Sequence, residues 1–238
     1  MTRNNSKGLC TFCQTEYSKS GMSRHLETCK QRRLLEALAE EQHPAQRTRK
    51  LHVLIEGERL PMYWMHLDIT AAVSLATVDQ FLRDTWLECC GHLSAFEIDG
   101  LRYVGEEGFT DWGEGRERTM QIACADVLHP GRTCSYEYDF GSTTELTIKV
   151  ISERDVVVAG KLITVLARNT LPPVPCDTCG KPATGVCWEW LDDNEVGVSL
   201  CATCAKAHAC GERSLVPLVN SPREGVCGYT GPASPYRW

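Results

Sequence analysis

The residues best equipped for chemistry lie near the two ends of the chain. In CTFCQTEYSKSGMSRHLETC, Cys10 and Cys13 are spaced for a tight knuckle, and His25 and Cys29 are spaced to share one face of a helix. Tyr17 and Met22 occupy the places where a small finger keeps its aromatic and aliphatic core. Thiolates and an imidazole at these spacings predict a tetrahedral Zn2+ site of the two-Cys, His-Cys type. Near the other end, Cys176 and Cys179 form one knuckle and Cys201 and Cys204 a second, which predicts a four-thiolate site. Cys187, His208, Cys210 and Cys227 remain, enough for an interleaved third site; the competing reading is that some of them are buried or free thiols.

Each of these sites has four protein ligands and hence no position for an activated water, so the metal is expected to stabilise the fold and not to hydrolyse a substrate. In the middle of the chain Cys89, Cys90 and His92 are adjacent, but neighbouring cysteines on a helix point about 100° apart, which favours core thiols over a site. Cys124 and Cys134 read as packing residues, and nothing in the sequence brings His66, Asp68 and Asp139 together as an acid–base group. No catalytic residue and no small-molecule substrate is assigned.

Residues 1–50 hold ten Lys/Arg against five Glu, a net +5, so a total of −6 leaves −11 for the remainder. A basic head on an acidic body allows a polyanion to meet the head and disfavours one that wraps the whole chain. Lys19, Arg24, Lys30, Arg32 and Arg33 are the candidate phosphate contacts. The positions from which such a finger reads bases fall near Ser18, Gly21 and Arg24, a poor reading set, and the alternative is a basic helix that docks on protein.

Four segments position these groups: a finger over 1–33, a basic helix and linker over 34–50, an α+β domain over 51–170 and a Cys-rich module over 171–238. In the second, Leu34, Leu35, Leu38 and Ala39 recur at helical spacing before Pro44, and AQRTRK reads as linker. In the third, LHVLIEG and PMYWMHLDI read as a strand pair, and VSLATVDQFLRDTWLECCGH as an amphipathic helix capped by Gly91. AFEIDGLRY reads as one strand, GEEGFTDWGEGRER as a surface loop, and CSYEYDF, ELTIKVIS and VVVAGKLITVLA as the last strands. LPPVP then breaks the pattern. Fourteen cysteines without an apolar leader argue for metal in place of disulfides, and with no apolar run of spanning length the expected location is the cytoplasm, with no membrane contact.

The middle segment resembles the plasmid pRiA4b ORF-3-like family through IEGERLPMYWMHLDI, HLSAFEIDGLRY and YEYDFGSTTELTIKV, over about residues 50–170, with Asp139-Phe140-Gly141 its most specific motif. VNSPREGVCGYTG is similar to the tail of a zinc-bearing subgroup. The resemblance implies an α+β fold and, by name, an association with mobile DNA; many members follow the glycine with Asp, Trp and His, where this chain has Ser142, Thr144 and Leu146. Taken together, these readings give an α+β domain flanked by two zinc-stabilised modules, acting as a non-enzymatic adaptor that touches nucleic acid through its finger and protein through its body. Two other functions are carried forward: a pure protein-interaction module, and a mobile-element nuclease or other enzyme.

Overall fold

The computed structural model describes residues 6–42, 47–108, 116–157, 161–191, 197–209 and 215–232. Its frame is a ten-stranded sheet. The elements in chain order are β1 (Lys7–Cys10), β2 (Glu16–Ser18), α1 (Lys19–Thr28), α2 (Lys30–Gln42), β3 (Arg47–Gly57), β4 (Trp64–Thr70), α3 (Leu75–Leu82), β5 (Ser94–Ile98), β6 (Leu101–Val104), β7 (Glu117–Thr119), α4 (Cys124–Val127), β8 (Thr133–Tyr138), β9 (Thr144–Val157) and β10 (Ile163–Asn169). They order as β2-β1-β10-β4-β3-β9-β8-β5-β6-β7, antiparallel except for the β6/β7 pair. The fold is thus mixed α+β and dominated by sheet.

Alternation along the central strands explains how this sheet is covered. Leu51, Val53 and Ile55 of β3 and Met65, Leu67 and Ile69 of β4 face the main core, which α3 closes with Leu75, Val78, Phe81 and Leu82. Ser74 caps α3, its hydroxyl accepting from the Thr77 N–H. The intervening residues, His52 and Leu54 of β3 and Trp64, His66 and Asp68 of β4, face the other way and are also largely buried. What covers them is the finger. Its β1 pairs with β10 at the sheet edge, and Cys10, Met22, Leu26 and Cys29 share a core with Trp64, Leu166 and Ala167. Gly8 permits this close approach, since a Cβ there would lie 2.3 Å from the Arg168 carbonyl and 2.6 Å from the Trp64 ring.

Several expectations change in detail. The finger of 1–33 is an edge of the large sheet, α2 already begins at Lys30, and Arg47–Lys50, read as linker, form the start of β3. AFEIDGLRY is a hairpin and not one strand: Asp99 and Gly100 both take positive φ (52° and 75°), the two-residue turn that joins β5 to β6. The helix expected to run to Gly91 passes instead into a π-helical turn at Arg83–Leu87 and ends with Glu88 extended. Half of the expected loop over 105–118, residues 109–115, lies outside the described residues, and its last two residues, Glu117 and Arg118, belong to β7. Beyond the prolines a separate three-stranded sheet, β12-β11-β13, is built from β11 (Gly185–Leu191), β12 (Gly197–Leu200) and β13 (Leu215–Pro217), followed after β12 by α5 (Ala202–Ala207).

The polar second face has a consequence for acid stability. His52 Nε2 and His66 Nδ1 share a hydrogen bond of 2.9 Å within the sheet. Burial drives both imidazoles down, His52 to about 4 and His66 to about 3, from an ordinary value near 6.5. Both are therefore neutral in the folded chain and protonate first when it unfolds, so their contribution is complete above about pH 6.5 and is lost as pH falls toward these values. Glu224, raised to about 6 by burial, contributes with the opposite sign. Replacing both histidines (H52L/H66L) leaves Glu224 and the metal ligands in place. Wild type should lose on the order of 2 kcal/mol more stability than this variant between pH 6.5 and 5, measured by denaturant unfolding; equal losses would refute the assignment.

Candidate metal centres

Cys10 ends β1, and the chain then reverses through a knuckle in which the Cys10 carbonyl accepts from the Gln14 N–H and Gln14 takes a left-handed φ of 57°. This returns Cys13 toward Cys10. Ser18 caps α1 through the Gly21 N–H, and the helix carries His25 and presents Cys29 as its C-terminal cap. Cys10 Sγ lies 3.9 Å from Cys29 Sγ, and Cys13 Sγ lies 3.3 Å from His25 Nε2. All four donor atoms are within 4.8 Å of one another. Bonds of about 2.3 Å at tetrahedral angles place two sulfurs roughly 3.8 Å apart, so one ion fits with small adjustments. Tyr17 stacks on the His25 ring at 4.0 Å and fixes its plane. Burial pushes the Cys10 thiol up to about 11 although backbone N–H groups of Cys13 and Phe12 pull it down; a dication supplies the charge that its thiolate needs.

The second centre joins two knuckles. Cys176 precedes a turn in which its carbonyl accepts from Gly180, whose φ of 72° suits glycine. Cys201 caps α5 and Cys204 lies within it, bringing Cys201 Sγ to 3.7 Å from Cys179 Sγ. The four sulfurs again lie within 4.8 Å of one another. Donation from the Cys201 backbone lowers the Cys176 thiol to about 6, whereas the neighbouring Cys179 sulfur raises Cys204 to about 12. Such a split is what crowded thiols show before a cation neutralises them. Below this centre Cys187, Leu200 and Ala205 form a small core.

Among the described residues, Cys187 and His208 do not join Cys227 in the interleaved site expected from Cys187, His208, Cys210 and Cys227. Cys187 is 1% exposed, in the core of the small module, and pairs across β11 with Val198 and Leu215. His208 ends α5, and Cys210 lies outside the described residues. Cys227 instead joins Cys89, Cys90 and His92, a third group whose donor atoms lie within 4.8 Å of one another. The objection that adjacent helical cysteines diverge fails because the helix has already ended: Glu88 is extended, and Cys89 and Cys90 lie in a bend. Nothing short of the fold brings residue 227 to residue 90. Cys124 and Cys134 are buried in the main core, as expected.

The expected phosphate contacts separate into two groups. Arg32 is 5% exposed; it donates to Asp68 at 3.1 Å, to the Leu26 carbonyl and to Glu36, and so faces the sheet. Lys19 is paired with Glu56 and donates to the Pro61 carbonyl. Arg24, Lys30 and Arg33 are exposed, with Arg33 also donating to the Glu27 carbonyl. His66 and Asp139 do not meet. His66 pairs with His52, while Asp139 receives Arg223 at 2.7 Å and lies 3.5 Å from His92.

Residues 47–194 match the family model described as plasmid pRiA4b ORF-3-like protein, which is 148 of 238 residues, and the chain belongs to that family. Among solved structures, the crystal structure of a protein of unknown function from Methanosarcina mazei Go1 is similar over 56% of this chain and 75% of that one, with a TM-score of 0.42 and 14% identity. A search of curated proteins finds no match. No helix among the described residues is long and apolar enough to cross a membrane. The family region runs from β3 into the Cys-rich module. It excludes the finger, and the other two clusters each take ligands from inside and outside it.

Both terminal centres should carry measurable stability. Cys10→Ser and Cys176→Ser remove buried ligands from separate sites, so each should cost about 4 kcal/mol, or roughly 10 °C of melting temperature for a chain of this size. Chelation should lower the melting temperature of wild type by at least as much and have a smaller effect on either variant. Unchanged melting curves for the variants would show that the clusters hold no structural metal.

Proposed function

We propose that this chain is a zinc-stabilised binding protein, whose partner is a protein received on the outer face of α2. Zinc is the metal that best suits a three-sulfur, one-nitrogen set and a four-sulfur set held by knuckles. Both terminal sets supply four protein ligands, which supports a structural task for their ions. The observation that carries the choice of partner is the orientation of α2. Of its two arginines Arg32 is turned into the fold, while Leu34, Leu35 and Leu38 are 52%, 46% and 44% exposed. Three half-exposed leucines on one helix form an apolar strip that a protein would cover. Beside it a cavity of about 250 Å³ is lined by Phe12, Leu35, Ala39 and Val156 together with Lys50 and Arg154, offering apolar contact next to fixed charge.

Nucleic-acid contact is the second reading, favoured by the exposure of Arg24, Lys30 and Arg33 on the finger and on the helix that follows it. Three cations would give weak, salt-dependent binding without sequence choice. The two readings separate in one comparison. Affinity capture from a lysate, with and without nuclease treatment, is made with wild type, with L34S/L35S/L38S and with R24E/K30E/R33E. A partner lost about tenfold with the leucine variant and retained with the charge variant supports protein docking. Loss with the charge variant, or upon nuclease treatment, would transfer the function to nucleic acid.

A further inference from the structure

We infer that Cys89, Cys90, His92 and Cys227 form a third zinc site, open to solvent, which acts as an exchangeable clasp holding the C-terminal tail against the end of α3. The identity of the ion rests on the zinc reading above; the site itself rests on its geometry. Cys90 Sγ lies 3.4 Å from Cys89 Sγ, 3.7 Å from Cys227 Sγ and 2.8 Å from His92 Nε2, and Cys227 Sγ lies 3.8 Å from that nitrogen. The two Cys90–sulfur distances approach the roughly 3.8 Å edge of a zinc tetrahedron, and His92 needs to withdraw from Cys90 by less than about 1 Å.

Two independent features point to a ligand there. First, the backbone bends to deliver Cys227: its φ is 52°, between Gly225 at 76° and Gly228 at 65°. A left-handed non-glycine residue is costly and is kept where surrounding interactions hold it. Second, a guanidinium lies behind the sulfurs. Arg223 is fully buried, and its Nη2 donates to Cys89 Sγ at 3.4 Å and to Asp139 Oδ2 at 2.7 Å. Three thiolates against a dication leave one negative charge, and Arg223 faces it in the position of an outer-shell donor.

The site differs from the other two in access. None of its ligands is buried and Cys90 and Cys227 are exposed, whereas the first centre buries Cys10 and Cys29 and the second, although its Cys179 is exposed, buries Cys176 and Cys201. His92 also lines a polar cavity of about 470 Å³ with Asp79, Arg83 and Glu88. A competing chelator can therefore reach this ion without unfolding the chain. The tail would lose only part of its attachment, since Ser221 Oγ still donates to the Trp86 carbonyl and Trp86 Nε1 to the Asn220 carbonyl. Release should be local, freeing residues 225–229.

Native mass spectrometry of the full-length, reduced, zinc-loaded protein tests this. The expected counts are three zincs for wild type, two for C90S and two for C227S, with C187S still holding three. Under a chelator one zinc should leave at least about tenfold faster than the others. Its departure should open Cys90 and Cys227 to alkylation and raise hydrogen exchange at 225–229, while Cys10 and Cys176 stay protected. A wild-type count of two, a loss of zinc in C187S, or a Cys90–Cys227 disulfide in place of the third ion would overturn the inference and leave the terminal sites standing. Three ions leaving at one rate would refute the clasp. A count of zero would remove the zinc reading of the whole protein.

Discussion

The central strands of this sheet bury both faces, and the second face is polar. Trp64, His66 and Asp68 on β4 and His52 on β3 point away from the main core, and none of them has ready access to water. A buried carboxylate without partners would cost several kcal/mol. Asp68 is matched by Arg32 from α2 and by Arg154 from β9, with Glu36 bridging the two guanidinium groups. The finger and α2 are thus part of the solution to a problem set by β3 and β4. They complete the fold, and the basic character of the head is partly spent on doing so.

A cover this small cannot hold itself. Cys10, Met22, Leu26 and Cys29 are the fully buried residues that the finger brings to its shared core, and few apolar side chains leave little margin against the entropy of ordering some thirty residues. A metal shared by four ligands supplies what burial cannot. The same reasoning applies to the Cys-rich module, whose core is Cys176, Cys187, Leu200, Cys201 and Ala205. Cysteine in these segments serves as ligand and as packing residue together. That explains why Cys187, which has neighbours of the right kind in sequence, is taken by the core and not by an ion.

Local spacing made the two terminal centres legible, because a knuckle and a helical i, i+4 pair each encode geometry within a few residues. Alternation in LHVLIEG and PMYWMHLDI likewise revealed β3 and β4, and their register places Val53 opposite Leu67. What escaped is long-range. Arg32 reads as a surface cation until Asp68, 36 residues away, is seen beneath it. Cys227 and Cys90, 137 residues apart, read as unrelated thiols. The hairpin at Asp99-Gly100 was within reach, since an Asp-Gly pair between alternating apolar residues is a turn signal in its own right.

The third cluster also gives a physical role to the motif that carries the family resemblance. Asp139 takes a positive φ of 66° and accepts from the Gly141 and Ser142 N–H groups, turning the chain sharply between β8 and β9. Its other oxygen receives Arg223, which also donates to the Ser142 carbonyl and to Thr144 Oγ1. Leu146 is fully buried in the main core. Ser142 and Thr144 are thus two anchors for an arginine, and Leu146 is a packing residue. The donors that remain beside the loop are His92 and the three sulfurs. Arg223 ties the turn to this cluster, since its Nη2 donates both to Asp139 Oδ2 and to Cys89 Sγ.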